Sequence, residues 1–200
     1  AKETSASLPF MPKPKNLKGF VGEEQEFDPL GFSDRIDIRW LRESELKHGR
    51  VCMLATVGFV AQQYITFPGV APCPDSLQAI YQAPPGLMAS LIFAAGYIES
   101  TSYGGKLTVL DMFEEDRTPG DLNFGKRFLD GMSDKDVYQM KLKELQNGRL
   151  AMFALGGMVH HNLVVQGPLF PLFPEGWVGP QNTWKATGAL ETFLYGMGPS

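Results

Sequence analysis

A repeat of its own motif is what most narrows the folds open to this chain. Residues 141–166 read KLKELQNGRLAMFALGGMVHHNLVVQ, and residues 45–62, ELKHGRVCMLATVGFVAQ, match them at a constant offset of about 99 residues. Glu45 falls on Glu144, His48 on Asn147, Gly49 on Gly148, Arg50 on Arg149, Met53 on Met152, Ala55 on Ala154, Gly58 on Gly157 and Gln62 on His161. A chemical pattern has been duplicated, so the fold has to give both copies an equivalent environment.

On a helix turning about 100° per residue, Glu45 and His48 share one face, as do Glu144 and Asn147. The arginine five residues after each glutamate is rotated by about 140° from it and cannot easily pair with it. Two such helices related by a two-fold axis resolve this, and the pattern predicts crossed ion pairs, Arg149 with Glu45 and Arg50 with Glu144. Each copy then runs into apolar sequence, Val51 to Val60 and Leu150 to Val159, where a charge is costly unless paired and pairing only offsets desolvation. Stability alone is a poor reason for the motif. A neutralised carboxylate keeps an oxygen lone pair, and His48 and Asn147 add donors nearby. Such groups suit the axial position of a magnesium held in a flat ring. Gly49 and Gly148, each costing about 1 kcal/mol against Ala inside a helix, are read as clearing room for that ring.

Composition excludes other classes. A net charge of -4 and a pI near 5.4 argue against nucleic-acid binding. Cys52 and Cys73 are too few for a disulfide framework. The mean hydropathy of -0.12 looks soluble, and no stretch reaches about 18 uninterrupted apolar residues. The basic residues nevertheless segregate: none lies between Arg50 and Lys106, and Lys185 alone follows Arg149. By the positive-inside rule the N-terminus and residues 103–139 share one side, and residues 67–83 and the C-terminus the other, which three spans satisfy.

Along the chain, residues 1–26, with Pro9, Pro12 and Pro14, are expected as an extended surface arm, after removal of any transit peptide. A first helix is expected over 36–67, capped by Asp34, with Trp40 at an interface and Ala55 and Gly58 letting the long helices approach, as Ala154 and Gly157 do in the second copy. A loop follows, with a turn near Ser76. A second helix is expected over 84–102, bounded by Pro84 and Gly104. Glu99 near its C-terminal end is badly placed for the macrodipole, which hints at a ligand. The 120–124 stretch echoes the Asp28-Pro29-Leu30-Gly31-Phe32 entry to the first copy. Ser133 is expected to cap a third helix over 134–166. The tail, 167–200, carries Trp177, Trp184 and a short interfacial helix over 186–195.

The paired E-x-x-H-x-R and E-x-x-N-x-R, the latter as ELQNGRLAMFA, with the Phe27-Asp28-Pro29-Leu30-Gly31-Phe32 entry, resemble the light-harvesting chlorophyll-binding superfamily over residues 27–166, and within it the red-lineage chlorophyll a/c antennae. The resemblance implies an all-α membrane protein with three transmembrane helices. The first and third would be long, tilted, crossing and related by a pseudo-two-fold, with short interfacial helices besides. It implies a single antenna domain in the plastid thylakoid, N-terminus stromal and C-terminus lumenal, without catalytic turnover. The implied cofactors are chlorophyll a, chlorophyll c and carotenoids of fucoxanthin, peridinin or alloxanthin type. Glu45, His48, Glu99, Glu144, Asn147 and His161 would hold magnesium, Gln62 would also bind pigment, and Arg50 and Arg149 would form the ion pairs. His160, about 100° round from His161, is the weaker candidate of the two. The implied partners are a photosystem core, photosystem I favoured, neighbouring antenna subunits and thylakoid lipids. Two alternatives stay open: a photoprotective, stress-type relative, and a soluble di-metal bundle, since Glu-x-x-His on an inward face also builds carboxylate-bridged iron sites.

Overall fold

The computed structural model describes residues 4–65, 73, 75–102, 106, 112–113, 117–122, 129–165 and 167–170. Among them the regular structure is helical: α1 (Ile38–Ala61), α2 (Ser76–Gln82), α3 (Pro85–Ser102) and α4 (Asp134–Val165), preceded by short 3-10 turns at Glu23–Gln25 and Phe32–Asp34. The tail helix and the tail tryptophans lie outside the described residues. The chain divides into two compact units, Ala1–Val51 with Ile92–Leu150, and Cys52–Leu91 with Ala151–Ser200.

In the first unit, local polar groups set where helices begin. Asp37, rather than the expected Asp34, starts α1: its Oδ1 accepts the amide of Arg39 at 2.8 Å, while Asp34 sits inside the preceding 3-10 turn. That turn is itself capped by Asp28, which accepts the amides of Phe32 at 3.0 Å and Ser33 at 2.9 Å and the Ser33 hydroxyl at 2.6 Å. Partial burial works against the Asp28 carboxylate, but these hydrogen bonds outweigh it and hold its pKa below the ordinary value of 3.8. Ser133 begins α4 through the Asp136 amide at 3.3 Å, with Asp136 reciprocating on the Ser133 hydroxyl. The N-terminal arm doubles back instead of running extended. Ser5 and Ala6 bond to Glu26, Lys13 pairs with the same glutamate, and Asn16 reaches the Ser33 carbonyl at 2.8 Å.

In the second unit α1 ends at Ala61, short of the expected 67, in a turn closed by Tyr64 and Ile65 amides on the Ala61 carbonyl. Residues 66–67 lie outside the described set. Asp75 caps α2 through the amides of Leu77 and Gln78. It also accepts from Asn162, which is 3% exposed and bonds the Gly167 carbonyl as well, so one aspartate ties the start of α2 to the end of α4. Ser76 donates to the Phe59 carbonyl at 2.8 Å and fastens the same turn to α1.

No helix among the described residues is long and apolar enough to cross a membrane. The reason is where the charges fall: α1 spends its first half on Arg39, Arg42, Glu43, Glu45, Lys47, His48 and Arg50, and α4 begins as polar. Large apolar side chains nevertheless point outward. Leu54 is 76% exposed, Phe93 79% and Phe153 83%, and α3, with one charged residue, buries none of its side chains. Against this, the buried apolar set among the described residues is Phe59, Cys73, Phe113, Leu145, Ala151 and Leu169. Apolar helix surface of this extent among the described residues has the character of an interaction surface.

Candidate functional site

The site begins where α1 and α4 cross in the first unit. Both Gly49 and Gly148 are buried, and a Cβ on Gly49 would lie 2.9 Å from the Gly148 Cα, one on Gly148 3.0 Å from the Gly49 Cα. The two glycines therefore let backbone meet backbone. They do not clear room for a ring, as the sequence suggests, and Gly58 and Gly157, expected at the close approach, have nothing within 4 Å of an added Cβ. Each helix needs a residue without a side chain at one level, and that level lies one residue before the arginine.

With the backbones this close, the charges pair across. Arg149 Nε donates to Glu45 Oε1 at 2.7 Å and Arg50 Nε to Glu144 Oε1 at 2.7 Å, the partners expected from the repeat. The copies are not equivalent. Glu45 also has Arg42 Nη1 at 3.1 Å from its other oxygen, and Arg149 bonds Gln25 through Nη1, whereas Glu144 is paired with Arg50. These side chains are partly exposed, so each pair contributes at most about 1 kcal/mol. Their effect is chiefly to fix register and cancel charge.

His48 and Asn147 lie one turn along, both exposed, and are oriented in the same way. His48 Nδ1 lies 2.7 Å from the Ser44 carbonyl, which can only accept, so that nitrogen carries the proton and Nε2 the lone pair in the neutral ring. Asn147 Nδ2 donates to the Lys143 carbonyl at 2.8 Å, leaving Oδ1 as its outward atom. Both bonds reach back four residues. Each fixes a side chain on the helix so that a single unprotonated atom is presented.

The other sequence candidates lie apart. Glu99, also in the first unit, accepts from Lys47 Nζ at 2.6 Å, a contact the sequence reading missed. Gln62 and His161 belong to the second unit. Gln62 donates through Nε2 to Ser76 Oγ at 3.0 Å, with its amide oxygen the atom able to ligate; His161 is half-buried and His160 exposed. Another missed element is Glu43, 2% exposed, which accepts from Arg117 Nη2 at 3.0 Å and the Gly120 amide at 2.6 Å. It fastens the 117–122 turn to α1. A Cβ on Gly120 would collide with Leu46 Cδ1, and one on Gly22 would meet Leu145 Cδ2 at 3.4 Å; both glycines have φ near +80° (81 and 83). Leu46 and Leu145 are themselves about 99 residues apart. The true counterpart of Gly120 is thus Gly22, not the Asp28–Phe32 entry that the echo suggested, and the repeat extends into the loops. Its signal was a glycine ahead of each copy.

Among the described residues no group of three or more His, Cys, Asp or Glu could hold a metal ion. The carboxylate-bridged di-iron reading needs converging ligands, which the described residues do not supply. His48 and Asn147 each present one unprotonated atom from an exposed helix position. The described residues thus form a helical scaffold that presents single donor atoms. The chain belongs to the chlorophyll A-B binding protein family, whose model matches residues 13–163. It is 37% identical over 174 residues to light-harvesting complex stress-related protein 3.2 of Chlamydomonas reinhardtii, covering 78% of this chain and 66% of that one. It is 32% identical over 173 residues to a fucoxanthin-chlorophyll a-c binding protein of Chattonella marina var. antiqua, covering 82% and 78%. To chlorophyll a-b binding protein 4 of Arabidopsis thaliana it is 28% identical, covering 80% and 69%. The chain thus spans just under two thirds of the stress-related relative. As a member of this family it is a pigment-binding protein and not an enzyme.

Proposed function

We propose that this chain is a photoprotective, stress-type chlorophyll protein of the chloroplast thylakoid. The observation that carries the pigment chemistry is the matched pair His48 and Asn147, each fixed by a carbonyl four residues back so that one lone pair faces outward. The residues fit the group: a chlorophyll magnesium already has four ring nitrogens and takes one more hard N or O donor. His48 Nε2, Asn147 Oδ1 and the arginine-neutralised Glu45 and Glu144 are such donors, with Glu99, Gln62 and His161 as further ones. Glu45, held by two guanidinium groups, is the weaker of the two glutamates. Bound chlorophyll supplies visible absorption and an excited state; the protein supplies position, orientation and local polarity.

A membrane placement with the N-terminus stromal and the C-terminus lumenal is supported by the exposed apolar helix surface and by the segregation of Lys and Arg. At about 1.5 Å per residue α1 and α4 measure about 36 and 48 Å, longer than a bilayer core of about 30 Å, and α3 at about 27 Å falls just short of it.

The photoprotective reading is favoured because the stress-related relatives, at 34–37% identity, stand alongside or above the fucoxanthin proteins at 32–35%. A light-harvesting antenna with chlorophyll c and a fucoxanthin-, peridinin- or alloxanthin-type carotenoid, docked to a photosystem core and neighbouring antennae, is the second reading, supported by the fucoxanthin-chlorophyll a-c relatives and the shared entry phrase. The relatives' names do not separate photosystem I from photosystem II.

Pigment extraction and chromatography of the gently solubilised protein, with its fluorescence lifetime at neutral and mildly acidic pH, tests this. A chlorophyll-loaded protein whose lifetime shortens on acidification supports the first reading, and an unchanged lifetime the second. A colourless protein refutes both.

A further inference from the structure

Resting on the pigment-binding reading, we propose that Glu43 is a positioning residue for the Glu144 ligand. It clamps the 117–122 turn as a lid beside Arg50, the guanidinium that orients Glu144. Glu43 is 2% exposed, an uncommon place for a carboxylate, and it is not one of the candidate ligands. Its Oε2 accepts from Arg117 Nη2 at 3.0 Å and from the Gly120 amide at 2.6 Å, so one buried oxygen holds the turn at two points. Arg117 also closes the turn on itself through the Asp121 carbonyl at 2.9 Å, and its guanidinium lies 5.6 Å from the centroid of the buried Phe113 ring. The turn so held sets Gly120 against α1, where an added Cβ would collide with Leu46 and lie 3.5 Å from Arg50 Nη2.

Arg50 Nε meets Glu144 Oε1 at 2.7 Å, yet its side chain is 29% exposed, and a pair so placed contributes at most about 1 kcal/mol. The pair alone therefore does little to keep the guanidinium from swinging into water; the turn beside its outer nitrogen restrains it. The second copy is built differently. Glu43 has Leu142 as its counterpart, and there a Cβ on the lid glycine, Gly22, would meet Leu142 Cδ1 at 3.8 Å and Leu145 Cδ2 at 3.4 Å. In that copy Gln25 bonds Arg149 Nη1 directly at 2.9 Å. Each arginine thus has a restraint besides its glutamate, a side-chain hydrogen bond in one copy and a charge-locked turn in the other. A leucine suffices for packing at this level, as Leu142 shows, so burial of a carboxylate at position 43 is explained by its hold on Arg117 and Gly120.

The test is reconstitution of the full chain with chlorophylls and carotenoids in mild detergent, reading chlorophylls per chain, the red absorption band and the rate of tryptic cleavage after Arg117. The variants are Glu43→Leu, which copies the second lid, Glu43→Gln, whose amide oxygen still accepts from Arg117 and Gly120, and Glu43→Leu/Arg117→Leu, which removes the cation as well. Arg50→Gln/Glu144→Leu, which removes the ligand together with its cation, is the reference. Both Glu43→Leu variants should lose the same single chlorophyll and band component as the reference and keep the rest, and Glu43→Gln should keep all. Cleavage after Arg117 should be faster in Glu43→Leu than in wild type. A full complement in Glu43→Leu, an equal loss in Glu43→Gln, or chlorophyll loss and faster cleavage that do not occur together overturns the role of Glu43. So does a loss spread over all chlorophylls, or failure of both leucine variants to assemble, since either makes Glu43 a support of the whole bundle. A full complement in the reference removes Glu144 as a ligand, and this proposal with it, while leaving the other ligands standing. A colourless wild type overturns the pigment reading itself.

Discussion

The Gly49–Gly148 contact makes a prediction that runs against helix propensity. Ala in place of a helical Gly ordinarily stabilises by about 1 kcal/mol, and Gly156 in α4, with nothing within 4 Å of an added Cβ, should behave that way. At Gly148 the added methyl would stand 3.0 Å from the Gly49 Cα. Ordinary contact begins near 3.4 Å. What it meets is main chain, which cannot turn aside as a side chain can, so the helices have to part locally by roughly half an ångström. Overpacking of this kind costs about 1–3 kcal/mol, and a contact with backbone belongs at the upper end. After subtracting the propensity gain, Gly148→Ala should be destabilising by about 1–2 kcal/mol, a fall of about 2–8 °C in melting temperature for a chain of this size. Gly156→Ala should instead raise it by about 2–4 °C. The measurement is a thermal melt followed by circular dichroism, in one detergent for both variants. The two changes have opposite signs, so equal stabilisation by both would refute a backbone contact at this level. Adding Gly49→Ala to Gly148→Ala should give a non-additive loss, because both methyl groups seek the same space.

Arg50→Gln should lower the yield of pigment-loaded protein more than Arg149→Gln, since Glu45 keeps Arg42 at 3.1 Å when Arg149 is lost; equal yields would contradict the asymmetry. Asn162→Ala, which removes a buried donor from both Asp75 and the Gly167 carbonyl, should cost about 1–3 kcal/mol, visible as a lower melting temperature. The Asp28 cap gives a pH signature. Its folded pKa lies below the unfolded value, so its stabilisation is present in full above the ordinary 3.8 and is lost as pH falls through the folded value. Melts of wild type and Asp28→Asn should therefore differ near neutrality and converge as pH drops below about 4. Curves that stay parallel would remove Asp28 as a cap.

How much could be read in advance depended on whether the signal was local. The glutamate–arginine pairs were legible because a spacing of five on a helix keeps each arginine from the glutamate of its own copy and the duplication supplies another. The start of α3 and the start of α4 followed from Pro84 and Ser133. The purpose of Gly49 and Gly148 was ambiguous in sequence, because a missing side chain admits a ring or another backbone equally well. Lys47 and Glu99 are separated by more than fifty residues, and their meeting depends on where α3 lies against α1, which periodicity does not encode. The Gly22–Gly120 correspondence was hidden by a shift of one residue in the offset. The folding back of the arm was missed because prolines exclude helix without saying which acceptor, here Glu26, gathers the donors.

The crossed pairing has a consequence for ancestry. A lone helix of this kind carries an acid and a guanidinium that cannot reach each other, together with a bare glycine between them, so its nearest complement is another copy of itself turned through a half-rotation. A short polypeptide holding one such segment would dimerise about a two-fold axis through that notch and satisfy both charges. The present chain has the form of such a homodimer joined end to end, with His48 in one half and Asn147 at the matching place in the other.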